Sequence, residues 1–315
     1  MLQQTQVVTV IDYYHRFLSK FPTIESLALA PLEDVLAQWS GLGYYSRARN
    51  IQRAAQNIVE NHQGKFPKVP QEILALPGIG RYTLGAIGSI AFELALPLVD
   101  GNVIRVYSRL FAMKGSPSET AFQKKIWALA EEIIGSPKIS SYGDFNQALM
   151  ELGATVCTPQ NPTCLICPLQ NNCEGRSLGP ESYPEKKKAT EVQKLHRHAA
   201  VVRSDNEVLL CISSKHRWMK HLWQLPSLWV QNGEDSNSLM EHLRNLGIRS
   251  DKVNALKNIQ HQVTHHKIQI QPFLIEGSKH NLPFQEGERY EWHSLSQLDE
   301  LGIPAADRKI LAALL

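Results

Sequence analysis

Apolar residues recur at helical spacing through the first 156 positions, and the pattern predicts a series of short helices. APLEDVLAQWSG sets Leu32, Val35, Leu36 and Trp39 on one face. Pro31 stands early, Glu33 and Asp34 lie in the first turn, and Gly41 marks the end, as helix signals require. SRARNIQRAAQNIVENHQG places Ala48, Ile51, Ala55 and Ile58 on one stripe and closes at Gly64. FNQALMELGATVC repeats the pattern with Phe145, Leu149, Leu152 and Val156. After about His198 the period shortens: AAVV and EVLLCIS read as paired strands around a turn at Ser204 to Asn206, and KIQIQPFLI alternates Ile268 and Ile270. Helices at SNSLMEHLRNLG and at the C-terminus complete an α+β module behind an all-α half.

Between the two patterns, RSLGPESYPEKKKATEVQKLHRH carries Gly179, Pro180, Pro184 and Lys186 to Lys188 with little apolar material. It reads as a linker, with a basic strap over DNA phosphates as the alternative. At 315 residues the chain suits two domains. The 43% hydrophobic and 20% charged residues are ordinary globular usage. No run of about 18 apolar residues suggests a membrane span, and the start lacks a secretory pattern, so a soluble cytoplasmic protein is expected. The net charge of +3 is local: fourteen basic and fourteen acidic residues fall in 1–175, six against three in 176–200, and thirteen of each thereafter. Any nucleic-acid contact must therefore come from geometry rather than bulk charge.

Three groups carry candidate chemistry. Cys157, Cys164, Cys167 and Cys173 fall within one short segment, where four thiolates can surround a metal centre. Their spacing leaves zinc and a [4Fe–4S] cluster both open. Cys211 stands alone and reads as a buried small hydrophobe. LPGIGRYTLGAI, Leu76 to Ile87, sets Pro77, Gly78 and Gly80 between two helical patterns, as in a helix-hairpin-helix. Such a turn points backbone N–H groups and a helix dipole at an anion, and a DNA phosphate fits; an ordinary αα-turn is the plainer alternative. Asp100 follows an apolar run and precedes Gly101 and Asn102, which by itself suits a turn. Its distance of twenty residues from Gly80 also lets the hairpin present it to the nucleotide held there.

MLQQTQV, GLGYYSRARN, LPGIGRYT, VDGNVIRV and the cysteine array occur in the order found in MutY-type adenine DNA glycosylases, relatives of the endonuclease III glycosylases. The resemblance spans 1–173. It implies a [4Fe–4S] cluster on the four cysteines, and a monofunctional enzyme, since Tyr82 stands where the lyase branch has its lysine nucleophile. It implies base flipping of adenine opposite 8-oxoguanine or guanine in duplex DNA and cleavage of its glycosidic bond through an oxocarbenium-like state. Asp100 is then the carboxylate that stabilises the cation, with Tyr82 and Asn102 in support. Gln4 fills the gap in the duplex, Gln3 and Thr5 lie beside it, Tyr44 wedges near the oxidised guanine, and Leu76, Gly78 and Gly80 grip phosphates. Taken alone, GLGYY also suits a helix end with packed aromatics and LQQTQ a solvated helix face.

The family carries its general-acid glutamate two residues before the MLQQT segment, and this sequence does not contain it. The expectation from sequence is a chain that binds and scarcely cuts, with a non-catalytic lesion-binding protein as the alternative. The C-terminal part resembles the MutT-like Nudix domain of the same enzymes, with LWQLPSLW at Leu222 to Trp229. SNSLMEHLRNLGI offers Glu241 but lacks the paired acids of a catalytic Nudix helix, so 8-oxoguanine recognition is the expected task. Val263, Thr264 and His265 align with the family's FSH element, and the bland alternative for His261, His265 and His266 is a polar strand edge. The expected organisation is a glycosylase domain with cluster loop over 1–175, a basic linker over 176–197, and a degenerate Nudix domain over 198–315. A monomer working on nucleoid DNA is implied.

Overall fold

A computed structural model describes the chain except residues 3–4, 187–191, 214–218, 251, 278, 280–281, 283–285 and 314–315. Gln3, Gln4, Lys187 and Lys188 therefore lie outside the described residues. The chain divides into two compact units: Met1–Glu60 with Thr190–Leu315, and Asn61–Ala189.

The first unit opens with α1 (Val7–Lys20), α2 (Ile24–Leu29), α3 (Leu32–Trp39) and α4, which runs Ser46–His62. In α3 the predicted stripe packs as expected, with Val35, Leu36 and Trp39 buried, and Gly41 ends the turn at φ +104°. In α4 Ala48, Ala55 and Ile58 are buried, but Ile51 is exposed. Gln52 takes the inward position instead, because its amide donates to the Ala30 carbonyl at 2.6 Å and so satisfies the end of α2. α1 turns Val10 and Phe17 inward and leaves Val7, Val8, Ile11, Tyr14 and Leu18 exposed.

The same unit contains a seven-stranded sheet. Its strands are β1 (Gln193–Ser204), β2 (Glu207–Ser213), β3 (Ser227–Val230), β4 (Val253–Ala255), β5 (Ile259–Val263), β6 (His266–Glu276) and β7 (Glu288–Ser294). The order is β4-β6-β1-β2-β7, with β3 on β1 and β5 on β6. β1 and β6 run parallel, and the remaining pairs are antiparallel. The expected turn at Ser204 to Asn206 closes the β1–β2 hairpin, with Asp205 at φ +50°. β1 starts at Gln193, inside the expected linker, because its first residues pair with His266 onward on β6. The segment before it is also held: the Glu185 N–H donates to the Gly115 carbonyl at 3.0 Å.

α11 (Asn237–Asn245) packs Leu239, Met240 and Leu243 on one face of the sheet with Ala200 and Val202, and α12 (Ala305–Ala312) covers the other with Ile310 and Leu311. The linear boundaries expected at 175 and 198 differ from the compact units, and Leu222 shows why. It is fully buried in the core of α1 to α4, while the Ser40 hydroxyl donates to the Ile303 carbonyl at 2.8 Å.

A buried ion pair anchors α12. Arg197 Nη1 and Nη2 donate to Asp307 Oδ1 and Oδ2 at 2.7 and 3.0 Å, and the Leu225 N–H donates to Oδ2 at 3.1 Å. Asp307 is completely buried. Replacing it by leucine leaves Arg197 charged and unpaired, so an unfolding loss of about 3–5 kcal/mol is expected. Adding Arg197→Met should recover much of it, as denaturant titrations of both variants would show. A loss below about 1 kcal/mol in the single variant would contradict this role.

Candidate active site and cysteine loop

The second unit holds α5 (Pro70–Ala75), α6 (Arg81–Phe92), α7 (Gly101–Leu110), α8 (Thr120–Ile134), α9 (Tyr142–Glu151), a π-helical turn over Leu152–Val156 and α10 (Glu174–Ser177). α5 and α6 are the arms of the expected hairpin. Gly78 supplies the positive φ, +81°, that a side chain would strain, and the Ile79 N–H donates to the Leu76 carbonyl at 3.2 Å. Gly80 is the N-cap of α6 and caps it with no side chain, so the first N–H groups of that helix have only their backbone geometry to direct them. Leu76 is 2% exposed. Its side chain anchors the turn in the core, and only its backbone is placed for a ligand.

α6 lies close to the strand-like segment that leads to Asp100. A Cβ on Gly85 would stand 2.0 Å from the Pro97 carbonyl oxygen, so only glycine permits the approach. Asn146 of α9 clamps the same segment: its amide donates to the Ser89 hydroxyl at 2.8 Å and the Leu96 carbonyl at 3.0 Å, and it accepts from the Leu98 N–H at 3.4 Å. Asn146 is buried, so these bonds are made away from water.

Asp100 is the N-cap of α7, which satisfies the turn reading and leaves the carboxylate half-buried. Oδ1 accepts from the Val103 N–H at 2.8 Å and Oδ2 from Asn102 Nδ2 at 3.3 Å. Tyr82 is brought to it from the first turn of α6. Burial, reinforced by the nearby Asp100 charge, holds the Tyr82 phenol above its ordinary pKa, so it stays protonated at neutral pH.

The polar face of α7 continues from Asn102 through Arg105 to Arg109. Arg105 donates to Asn102 Oδ1 at 2.8 Å, the Gly153 carbonyl at 2.6 Å and the Cys157 carbonyl at 2.7 Å. Arg109, buried to 2% exposure, donates to Cys157 Sγ at 3.5 Å and to the carbonyls of Thr158, Pro159 and Tyr183 at 2.7, 3.0 and 3.1 Å. The Cys173 thiol donates to the Arg109 carbonyl at 3.4 Å. Cys157, Cys164, Cys167 and Cys173 line one cavity with Arg109 and Arg176, about 330 Å³ of empty space partly open to solvent. Burial raises the Cys173 pKa, with the other three cysteines close enough to add to it. Among the described residues no group of three or more His, Cys, Asp or Glu side chains is arranged to hold a single metal ion. Cys211 lies in the other unit, buried, with burial pushing its thiol up to about 12, as a packing residue.

The remaining sequence candidates belong to the first unit. Tyr44 sits at φ +48°, half exposed, under the Arg47 guanidinium at 4.5 Å, while Tyr45 is buried. One tyrosine of GLGYY thus packs and the other faces outward. Thr5 is half-buried at the start of the chain. Thr264, exposed at φ +52°, and His265 form the turn between β5 and β6, where the Thr264 hydroxyl donates to the Val263 carbonyl at 2.7 Å.

Residues 1–132 match the HhH-GPD superfamily of base excision DNA repair proteins, and residues 198–313 match the NUDIX domain. An adenine DNA glycosylase of Buchnera aphidicola subsp. Schizaphis graminum is 35% identical over 314 residues, 99% of this chain and 88% of that protein. The chain belongs to the adenine DNA glycosylase family. The rat adenine DNA glycosylase is 52% identical over 174 residues, which span 55% of this chain and 33% of that protein. Among solved structures, a thermostable thymine-DNA glycosylase superposes with a TM-score of 0.50 at 29% identity, over 56% of this chain and 80% of that one. Family membership makes the protein a DNA-binding base excision repair glycosylase with an HhH-GPD helical part and a Nudix-like sheet. No helix among the described residues is long and apolar enough to cross a membrane.

Sequence reading missed Asn146, Arg105 and Arg109. The spacing 102, 105, 109 was the available signal: it puts three polar groups on one face of a helix whose other positions, Val103, Ile104, Val106 and Tyr107, are core residues. Arg109→Met removes the donor to three carbonyls and one sulfur, and unpaired buried groups cost about 1–3 kcal/mol each. Limited proteolysis of this variant should cut the 153–183 segment markedly faster than in the parent. Equal cutting rates would show that the segment is ordered by other contacts.

Proposed function

We propose that this protein excises adenine paired with 8-oxoguanine or guanine in double-stranded DNA, by flipping the adenine out and hydrolysing its N-glycosidic bond. The observation that supports the reading is what one unit brings together: Gly85 and Asn146 fix α6 against the segment ending at Asp100, and Tyr82 on the first turn of α6, next to the anion-ready turn, is near enough to feel the Asp100 charge. As the bond from the base to C1′ breaks, positive charge grows on the sugar, and a fixed carboxylate stabilises it without reorganisation. Asp100 is held by two donors as an acceptor, which suits this role rather than proton donation. Asn102 orients Asp100, and Tyr82 supplies a neutral hydroxyl beside it. Water adds its oxygen to C1′ as a hydroxyl in place of the base, and the proton it gives up balances the one that leaves on adenine.

The turn Leu76 to Gly80 grips the backbone through N–H groups, which carries no sequence preference and suits a scanning enzyme. Gln3, Gln4, Thr5 and Tyr44 act on the opened duplex, and Thr264 and His265 read the oxidised guanine. The protein works as a monomer in the cytoplasm, on nucleoid DNA. The four cysteines fit a [4Fe–4S] cluster: they ring one cavity, and each thiolate of such a cluster binds its own iron, so they need not converge on one point. The cluster, when bound, supplies a rigid link that orders the loop holding Arg105 and Arg109.

Two measurements test this. Anaerobically purified protein should contain about four irons and four sulfides per chain, and one zinc without sulfide would overturn the cluster assignment. In single-turnover assays on an adenine:8-oxoguanine duplex, Asp100→Asn should slow excision by about 10²–10³-fold with duplex affinity retained. Excision at the parent rate would remove Asp100 from the chemistry. A parent chain that holds the mispair and leaves the adenine in place would favour the lesion-binding reading instead.

A further inference from the structure

Arg81 is the first residue of α6 (Arg81–Phe92), the wrong end of a helix for a cation. The unpaired N–H groups and the dipole make that end electropositive, so a guanidinium there is repelled unless an anion is supplied. Glu131 of α8 supplies it, through an ion pair between Arg81 Nη2 and Glu131 Oε1. Four residues before Glu131 on the same helix face, the Trp127 ring centre lies 3.9 Å from the guanidinium carbon. α8 therefore offers Arg81 a carboxylate and an aromatic platform together.

The pair is not built for stability. The two side chains are 50% and 56% exposed, and pairs so open to water add little to a fold. Neither Arg81 nor Glu131 serves in the contacts that hold Asp100 or the cysteine loop. Stacking on Trp127 fixes the plane of the guanidinium while one of its five N–H donors meets Glu131. A carboxylate oxygen and a phosphodiester oxygen present the same target to such a fork.

We propose that Arg81 is a DNA-phosphate contact of the hairpin, and that Glu131 is its built-in competitor, which occupies the guanidinium in the free protein and yields it to a backbone phosphate on binding. This rests on the reading of Leu76 to Gly80 as a DNA grip. The exchange swaps one anion for another, so the free protein keeps Arg81 aligned on Trp127 and weakens its own hold on undamaged DNA. A scanning enzyme gains from that, because a loose grip lets it leave non-target sites.

The test measures affinity of the full chain for a duplex without mismatch, across a salt series, for the parent, Arg81→Gln, Glu131→Gln and the double variant. Glu131→Gln should bind roughly fivefold tighter at low salt with the parent's slope of log affinity against log salt, since both complexes neutralise the same phosphates, whereas Arg81→Gln should make that slope shallower by about 0.9, the signature of one phosphate fewer. Arg81→Gln should bind roughly fivefold weaker, and the double variant should match it within about twofold, since a competitor has nothing to compete for once Arg81 is gone. If Glu131→Gln tightens binding equally in both backgrounds, the carboxylate acts only as a general negative charge and the proposal fails. Parental affinity in Arg81→Gln defeats it as well. Should Arg81→Gln fold poorly, Arg81→Met takes its place and must show the same weaker binding and the same absence of any gain from Glu131→Gln. Gly78→Val separates this proposal from the reading beneath it. Undiminished duplex affinity there removes the hairpin grip itself, whereas lost affinity there, together with additive Arg81 and Glu131 effects, removes only the competition.

Discussion

The hydrogen bonds along one face of α7 (Gly101–Leu110) are the constraint on which the rest of the site depends. Asp100 begins the helix as its N-cap, Asn102 holds the second carboxylate oxygen, Arg105 joins Asn102 to the Cys157 carbonyl, and Arg109 grips the next residues of the cysteine loop. A charge as buried as Arg109 is tolerable only when its donors are met, and the carbonyls of a loop without regular structure meet them. Loop and helix need each other. The loop needs donors for its carbonyls, the helix needs acceptors for its arginines, and the carboxylate at the helix start is fixed as a consequence.

The other side of Asp100 is set by close packing rather than by polar contacts. Gly85 lets α6 touch the backbone at Pro97, and Asn146 staples that backbone to α9. Tyr82 and the second arm of the hairpin are both carried on α6, so in the proposed function the group beside the sugar and the groups that meet the phosphate share one rigid support. That rigidity matters because stabilising a developing cation requires a charge already in place. The balanced net charge is consistent with the proposed contacts, in which a backbone turn and a shielded arginine meet DNA without a broad basic surface.

Much of this was legible in the sequence. The helices of the first half and the shift to strands near residue 198 follow from hydrophobic period; the four cysteines, Asp100 and the Leu76–Gly80 turn could each be named from motif and spacing, while Tyr82 came only from the family resemblance. Less legible was what holds them. Gln52 replaced Ile51 inside because a carbonyl at the end of α2 needed a donor, and no hydrophobic pattern reports such a need. Arg109 was missed because helical spacing alone does not say that a loop 48 residues later will bury it. Leu222 joined the core of the first four helices for the same reason: the pairing is distant in sequence and left no local mark. Leu76 was singled out as part of the phosphate grip; its side chain is buried, so what it can offer a ligand is the backbone of the turn.

Amide hydrogen exchange at Val103 tests most directly whether the cysteine loop fixes Asp100. The Val103 N–H donates to Asp100 Oδ1 at 2.8 Å, so its protection reports how firmly that carboxylate is held. Arg105→Met cuts the link to Cys157 without touching Asp100 or Val103. The expected result is exchange at Val103 faster by about tenfold or more in this variant, alongside loss of protection in the loop after Gly153. Parental protection at Val103 with the loop loosened would contradict the account, and would mean that α6 and the helix cap alone position the carboxylate.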